Sequence, residues 1–211
     1  MINTLFPHIY VINLERRKDR RDEIHFMAEQ QRWHRSYLLW PAVDALQLHI
    51  NGQPMEENPR RQAELACKVS HARVIRDALL SDYEYILVLE DDAVIDIDGF
   101  DRLQQAFLEM EEVDPGWHMF YLGANDINDT KEQAGFACFR LFTAYTTHAY
   151  VIHRRAYLMA LDALDLRGQA DVLFAEYITS QGHSYTVFPY VATQREGISD
   201  ITGANETYKL K

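Results

Sequence analysis

Residues 85–92 read Tyr-Ile-Leu-Val-Leu-Glu-Asp-Asp, an unbroken apolar run that ends in three acids. The apolar run predicts a strand buried on both faces, as in the centre of an α/β sheet. Ligands of open α/β sheets bind beyond the carboxyl ends of the strands, so Glu90, Asp91 and Asp92 mark a candidate site. Alternation along the chain places Glu90 and Asp92 on one side, and this pair predicts a hard divalent cation, Mn²⁺ or Mg²⁺. The alternative is a solvated acidic turn with a helix cap.

Strand-like and helix-like segments alternate on either side of this stretch. β-Branched and aromatic runs predict strands at 8–13, 40–44, 85–89, 117–122, 145–153 and 185–191. Apolar residues at helical spacing predict helices near 24–31, 62–80, 100–110, 157–164 and 171–182. The alternation predicts a single α/β domain over residues 1–211, with a mainly parallel central sheet flanked by helices.

The overall composition excludes several classes of protein. The chain has 211 residues and a formal net charge of −11, which argues against a nucleic-acid partner because duplex binding needs clustered Lys and Arg. Two cysteines, Cys67 and Cys138, cannot make the disulfide framework of a small secreted domain. There is no signal-peptide pattern and no apolar run of the roughly 20 residues that span a bilayer. We therefore expect a cytoplasmic protein without a transmembrane segment.

Residues 15–22 form a basic turn between the first predicted strand and the helix that follows it. The turn contains five cations and three acids in a chain that is acidic overall. A strand-to-helix junction is a natural phosphate site, and arginine offers paired donors to a diphosphate. The turn therefore predicts a phosphate contact. The alternative is a solvated helix face that carries ion pairs at helical spacing.

Several common catalytic signatures do not occur in the chain. It has no HExxH, no GxSxG, no GxGxxG and no GxxxxGK. The usual patterns of zinc proteases, serine hydrolases, dinucleotide-binding enzymes and P-loop enzymes are thus missing.

Several segments between residue 9 and residue 201 form one ordered pattern. They are Tyr10-Val-Ile-Asn-Leu-Glu-Arg-Arg-Lys-Asp-Arg-Arg21, Ala42-Val-Asp-Ala45, Ala63-Glu-Leu-Ala-Cys-Lys-Val-Ser-His71, Leu87-Val-Leu-Glu-Asp-Asp92, Thr147-His-Ala-Tyr150, Asp171, Gln194 and Ser199-Asp-Ile201. In these segments and in their order the chain resembles glycosyltransferase family 25, which commonly has glycine where Ala45 and Ala63 stand.

The resemblance implies a Rossmann-like GT-A domain that uses a UDP-sugar donor, with galactose or glucose as the hexose. It implies that Glu90 and Asp92 hold a metal on the donor diphosphate, as the acidic DXD motif does in such enzymes. Residues 1–95 would form the half that binds the nucleotide sugar, and residues 96–211 the acceptor-side half with a polar C-terminal tail. The expected donor-binding residues are Asn13, Arg17, Arg20, Asp44, Ser70, His71 and Asp91. The residues expected to close over the site from the tail are Gln194, Ser199 and Asp200.

An inverting transferase needs a base near the acceptor hydroxyl. Asp171, at a helix start in the acceptor-side half, is the predicted base, and His148 is the second candidate. A helix cap is the structural alternative for Asp171.

Two other functions stay open from the sequence. One is a module that binds nucleotide or glycan without turnover, and the other is a different metal-dependent nucleotide enzyme, a nucleotidyltransferase or a phosphohydrolase. The acceptor is not readable from the residues. The family default is a cell-surface glycan, as in lipopolysaccharide biosynthesis, and a lipid-linked acceptor would bring peripheral contact with the inner face of a membrane.

Overall fold

The computed structural model describes residues 2–33, 36–126 and 129–206, and strands and helices alternate along them. The strands are β1 (Ile9–Asn13), β2 (Tyr37–Pro41), β3 (His49–Ile50), β4 (Gln53–Pro54), β5 (Tyr85–Glu90), β6 (Ala93–Ile95), β7 (Met119–Tyr121), β8 (Glu132–Gln133), β9 (Cys138–Leu141), β10 (Ala149–His153), β11 (Ser184–Val187), β12 (Ala192–Gln194), β13 (Gly197–Ile198) and β14 (Asn205–Glu206). The α-helices are α1 (Ile2–Leu5), α2 (Lys18–Gln30), α3 (Pro59–Leu80), α4 (Phe100–Val113), α5 (Arg154–Asp165) and α6 (Ala170–Tyr177).

One eight-stranded sheet forms the centre of the molecule, in the order β2-β1-β5-β10-β7-β11-β9-β8. β1 pairs in parallel with β2 and β5, and β11 pairs in parallel with β7. β10 is antiparallel to both β5 and β7, and β9 is antiparallel to β11 and β8. Six of the eight strands therefore run in one direction, and the predicted mainly parallel α/β sheet is confirmed.

β5 lies inside this sheet between β1 and β10, as its apolar sequence predicts. Its side chains alternate between two cores, and Ile86 to Leu89 have no exposed surface. Leu87 and Leu89 pack on the face covered by α2 and α4, whereas Ile86 and Val88 pack on the face covered by α3, α5 and α6. The result is a three-layer structure. The acids at the carboxyl end of β5 lie where the strands of the sheet end.

The boundaries of some predicted strands are wrong. The second strand covers Tyr37–Pro41 rather than 40–44, because Asp44 leaves the sheet and its side chain accepts a hydrogen bond from the Leu46 N–H at 3.0 Å. This local bond caps a short 3-10 turn and competes with extended pairing. The strand predicted to begin at residue 145 begins at Ala149, and β9 was not predicted at all.

Candidate active site

Two adjoining cavities open where β1, β2 and β5 end. Asn13 pairs with Pro41 and Ile12 pairs with Glu90, so the three carboxyl ends reach the same edge of the sheet. The first cavity, with its open mouth included, has a volume of about 770 Å³. It is lined by Ile12, Leu14, Arg16, Arg20, Ala42, Val43, Ala45, Ala63, Ala66, Cys67, Ser70, Glu90, Asp91, Asp92, Gln194, Ser199, Asp200 and Ile201.

The second cavity, of about 890 Å³, lies beside the first and extends toward α6. Both halves of the chain contribute to each cavity. The residues that line both are Cys67, Glu90, Gln194, Ser199 and Ile201. The residues that line the second alone are Arg60, Glu64, Thr146, Thr147, Gln169, Ala170, Asp171, Thr202 and Glu206.

Glu90 lies at the boundary of the two cavities and faces α3. Its Oε1 accepts a hydrogen bond from the Thr147 hydroxyl at 2.6 Å and lies 3.3 Å from His71 Nε2. Burial by itself would raise the pKa of Glu90, but the neighbouring His71 ring and the Thr147 bond outweigh burial and lower it. Glu90 is therefore held as a carboxylate.

Asp91 and Asp92 share one cation, Arg20. The Arg20 Nη1 donates to Asp91 Oδ1 at 2.7 Å and to Asp92 Oδ2 at 3.2 Å, and Asn13 Nδ2 donates to Asp91 Oδ2 at 2.8 Å. Burial, reinforced by the negative charge of Glu90, raises the pKa of Asp92 to about 7. The Asp92 Oδ1 atom is buried and has no hydrogen-bond partner among the described residues.

The basic turn and the C-terminal tail are tied together across the first cavity. Arg16 contacts Asp44 at 2.9 Å and Asp200 at 2.7 Å, and Arg17 contacts the other Asp200 oxygen at 2.5 Å. Arg20 Nη2 donates to the Ile198 carbonyl at 2.9 Å. The segment from β13 to β14 is thereby fastened over the cavity by three arginines.

The predicted donor residues fall into two groups. Arg20, Ser70 and Asp91 line the first cavity, as do the predicted tail residues Gln194, Ser199 and Asp200. Asn13, Arg17, Asp44 and His71 lie one contact further out, and each touches a residue that lines it, namely Asp91, Asp200, Arg16 and Glu90 respectively. Arg16 lines the cavity and was missed, because the sequence gives no way to rank the five cations of the turn.

Ser70 shapes the side of the first cavity formed by α3. Its Oγ donates to the Ala66 carbonyl at 2.8 Å within the helix and accepts from the Val43 N–H, also at 2.8 Å. The second bond fixes the chain after β2 against α3. Ser70 therefore positions the cavity-lining backbone at residue 43.

Asp171 lies in the first turn of α6 and lines the second cavity. Its Oδ1 accepts from the Val172 N–H at 2.8 Å, whereas the N-cap position belongs to Gln169. Burial raises the pKa of Asp171 above its ordinary value. An acid with a raised pKa at a cavity is suited to accept a proton.

His148, the second candidate base, has no exposed surface and lines neither cavity. Burial lowers the pKa of its ring. Its backbone carbonyl accepts the Glu90 N–H at 2.9 Å, so it holds the end of β5 through the main chain. Asp171 is the better placed of the two candidates.

Two sets of side chains at this edge could hold a metal ion. Glu90 and Asp92 both line the first cavity, and the unpartnered Asp92 Oδ1 leaves a hard oxygen free for a cation such as Mn²⁺ or Mg²⁺. Cys67, His71 and Glu90 form a second, softer set, whose ligand atoms all lie within 4.8 Å of one another. The donor atoms present therefore fit a divalent cation.

The chain belongs to glycosyltransferase family 25. The sequence model described as "Glycosyltransferase family 25 (LPS biosynthesis protein)" matches residues 6–166, which contain β1, the basic turn, the acids after β5 and β10. The resemblance drawn from the motifs is thus confirmed over most of the chain.

The relatives of this chain include a protein named as an active enzyme and a protein named as inactive. The chain is 26% identical over 132 residues to procollagen galactosyltransferase 2 of Mus musculus, covering 56% of this chain and 21% of that protein. It is 25% identical over 142 residues to "Inactive glycosyltransferase 25 family member 3" of Homo sapiens, covering 61% and 24% respectively. The chain spans about a quarter or less of the length of these relatives.

A solved structure supports the fold. It is described as a glycosyltransferase involved in the glycosylation of the major capsid of PBCV-1, and it superposes with a TM-score of 0.54 over 92% of this chain and 94% of that chain, at 11% identity. The predicted GT-A-like α/β fold is confirmed. None of the helices in the described ranges is long and apolar enough to cross a membrane.

Proposed function

We propose that this chain is a metal-dependent glycosyltransferase that moves a hexose, galactose or glucose, from a UDP-sugar to a hydroxyl acceptor with inversion. The observation that carries the proposal is the free Asp92 Oδ1 beside Glu90, in a cavity that joins a second cavity containing Asp171. This arrangement supports a cation site between a nucleotide pocket and a candidate base. Membership of the family supports the transferase class.

The first cavity binds the donor. Arg16 and Arg20 line it and supply planar paired donors of the kind that match a diphosphate. In this structure both arginines are paired with carboxylates, Arg20 with Asp91 and Asp92 and Arg16 with Asp44 and Asp200. Donor binding exchanges some of these ion pairs for contacts to phosphate oxygens.

Glu90 and Asp92 would hold the cation. When bound there, Mn²⁺ or Mg²⁺ acts as a Lewis acid that neutralises charge on the departing UDP. Arg20 holds Asp92 through its Oδ2 atom and shares Asp91 with Asn13, and Thr147 orients Glu90. The positions of the two ligands are thus fixed by neighbouring side chains.

The second cavity binds the acceptor. Asp171 takes the proton of the acceptor hydroxyl as its oxygen bonds to the anomeric carbon, and the bond from that carbon to UDP breaks on the opposite side. The cavity is lined by hydroxyl, amide and carboxylate groups, including Thr146, Gln169 and Thr202, which are partners for sugar hydroxyls. We therefore propose a glycan as the acceptor, free or lipid-linked, as in lipopolysaccharide synthesis.

A panel of nucleotide sugars tests the proposal. The protein is incubated with each donor and a mixture of cell-surface glycans, with Mn²⁺ or with excess chelator, and UDP release and product mass are measured. We expect one UDP-hexose to raise the melting temperature and to be consumed only with Mn²⁺. Consumption undiminished by chelator would contradict the metal role.

One relative named inactive makes binding without turnover the specific alternative. Thermal stabilisation by a UDP-hexose, with no product from any glycan fraction and no hydrolysis of the donor, is the result expected of such a module. Transfer of labelled hexose would exclude it.

A further inference from the structure

The cluster of Cys67, His71 and Glu90 has a chemistry that hexose transfer does not use. Cys67 and His71 lie four residues apart on α3, so they share one face of the helix, and Glu90 approaches from the end of β5. The Sγ, ring-nitrogen and carboxylate atoms lie within 4.8 Å of one another. Thiolate, imidazole and carboxylate are the donors that zinc takes, whereas Mn²⁺ and Mg²⁺ prefer oxygen alone.

The position of the His71 ring suits it to bind a metal ion. It has no exposed surface, and its Nδ1 lies 2.9 Å from the Tyr150 hydroxyl. Its Nε2 makes no hydrogen bond with any residue in the described ranges, although Glu90 Oε1 is 3.3 Å away. When His71 Nδ1 carries the proton and donates to Tyr150, Nε2 is left for a metal, which is the usual arrangement of a metal-binding histidine.

We infer that Cys67, His71 and Glu90 form a zinc site that is distinct from the Glu90–Asp92 site for Mn²⁺. Three protein ligands leave one tetrahedral position for water or another ligand, and Cys67 and Glu90 line both cavities. Binding forms a sulfur–zinc bond and releases the thiol proton to solvent, with no change of oxidation state.

The two metal sites share Glu90, and this consequence rests on the proposed function. A zinc ion bound to Glu90 on the side that faces α3 would leave Mn²⁺ without one of its two proposed ligands. Zinc is therefore expected to weaken Mn²⁺ binding, which makes the cluster a point of inhibition by a soft metal.

Cobalt spectroscopy tests the site without any assay of transfer. The reduced, metal-free protein is titrated with Co²⁺, and the near-ultraviolet thiolate-to-cobalt absorption is recorded. We expect one equivalent of Co²⁺ to produce this band, and Zn²⁺ to abolish it. Absence of the band in the unsubstituted protein would overturn the proposal.

Matched variants locate the ion. C67S should remove the band, and C138S, which changes the buried thiol of β9, should keep it. H71Q should lower the affinity at least about tenfold, since the loss of even an outer partner of a metal ligand costs about 10–100-fold. C67S keeps the test decisive if H71Q does not fold, and a band retained in C67S would contradict the assignment.

D92N separates this proposal from the proposed function. It should keep the cobalt band and lose Mn²⁺ binding. Loss of the band in D92N would place cobalt on the acidic pair and overturn the zinc site. If D92N instead keeps manganese-dependent transfer, the proposed role of Asp92 as a Mn²⁺ ligand is wrong, and the conclusion drawn from cobalt is unaffected.

Discussion

The two cavities differ in how their charges are balanced. In the first, Arg20 bridges Asp91 and Asp92, and Arg16 bridges Asp44 and Asp200. In the second, Asp171 forms no ion pair with any residue that the structure describes, and its carboxylate contacts a backbone N–H. The first cavity is suited to exchange ion pairs with a charged ligand. The second keeps an acid whose pKa is raised by burial beside a polar cavity.

Removing the charge of Asp92, whose Oδ1 has no hydrogen-bond partner among the described residues, should have the largest effect. D92N replaces the charged carboxylate offered to Mn²⁺ by a neutral amide, and loss of metal stabilisation of the leaving group costs roughly 5 kcal/mol, or about 10⁴-fold in rate. Manganese binding by calorimetry and hexose transfer should both be lost. D98N, in the exposed turn nearby, is the control and should match the unsubstituted protein. Full transfer by D92N would show that the metal does not depend on the charge of Asp92.

The second cavity should respond differently. D171N removes a base, which typically contributes about 10²–10⁴-fold, and should slow transfer by that factor while UDP binding stays intact. A helix-stabilising role predicts instead a normal transfer rate with a small loss of stability, since an acid in the first helical turn contributes about 0.3–1 kcal/mol. Initial rates and the melting temperature of one variant distinguish these roles, with the exposed D162N on α5 as control.

An arginine substitution tests whether the ion pairs of the first cavity exchange with the donor. R20A should weaken UDP binding by about 1.5–3 kcal/mol, the range for hydrogen bonds to charged groups. Arg21, the next residue of α2, lines neither cavity, so R21A is the matched control. Calorimetry that gives equal UDP affinities for R20A and R21A would leave Arg20 with the purely structural role of holding Asp91 and Asp92.

The smallest expected effect is the pH dependence of Mn²⁺ binding, which depends on Asp92 and therefore concerns the first cavity and not the second. The pKa of Asp92 is raised to about 7, so below that pH the buried carboxyl is protonated and must release a proton to bind Mn²⁺. Manganese affinity should therefore rise about tenfold per pH unit below pH 7 and level off above it. Calorimetric titrations between pH 5.5 and 8 measure the slope, and a flat profile would show that Asp92 is ionised throughout.

Much of the fold follows from local sequence. β5 was predictable because its apolar run is buried on both faces, and α3 because its apolar stripe is long, although its start at Pro59 after the cap residue Asn58 was not predicted. β9 was not predictable, because its four residues gain their pairing from β11, more than 40 residues later in the chain. The relative directions of the strands were not predictable either, since nothing in the local sequence marks β10 as antiparallel to both of its neighbours.

The candidate site was predictable in its residue types more than in its contacts. The acids after β5 and the basic turn reach the same cavity, as their positions at strand ends predict. The sequence could not favour Arg16 over Arg17, because both pair with the distant tail residue Asp200 and only the folded chain shows that Arg16 lines the cavity. The Cys67–His71–Glu90 cluster joins a helix to a strand end, a juxtaposition that only the folded chain makes visible.

The place of β10 has a consequence for how the chain acquires its structure. β5 gains one neighbour from β1, but its other edge stays unpaired until residues 149–153 have been synthesised and have returned across more than 55 intervening positions. Such distant pairing must overcome loop-closure entropy before it gains any contact, which slows folding. Until then a hydrophobic strand edge is open to other chains, so self-association competes with folding during synthesis.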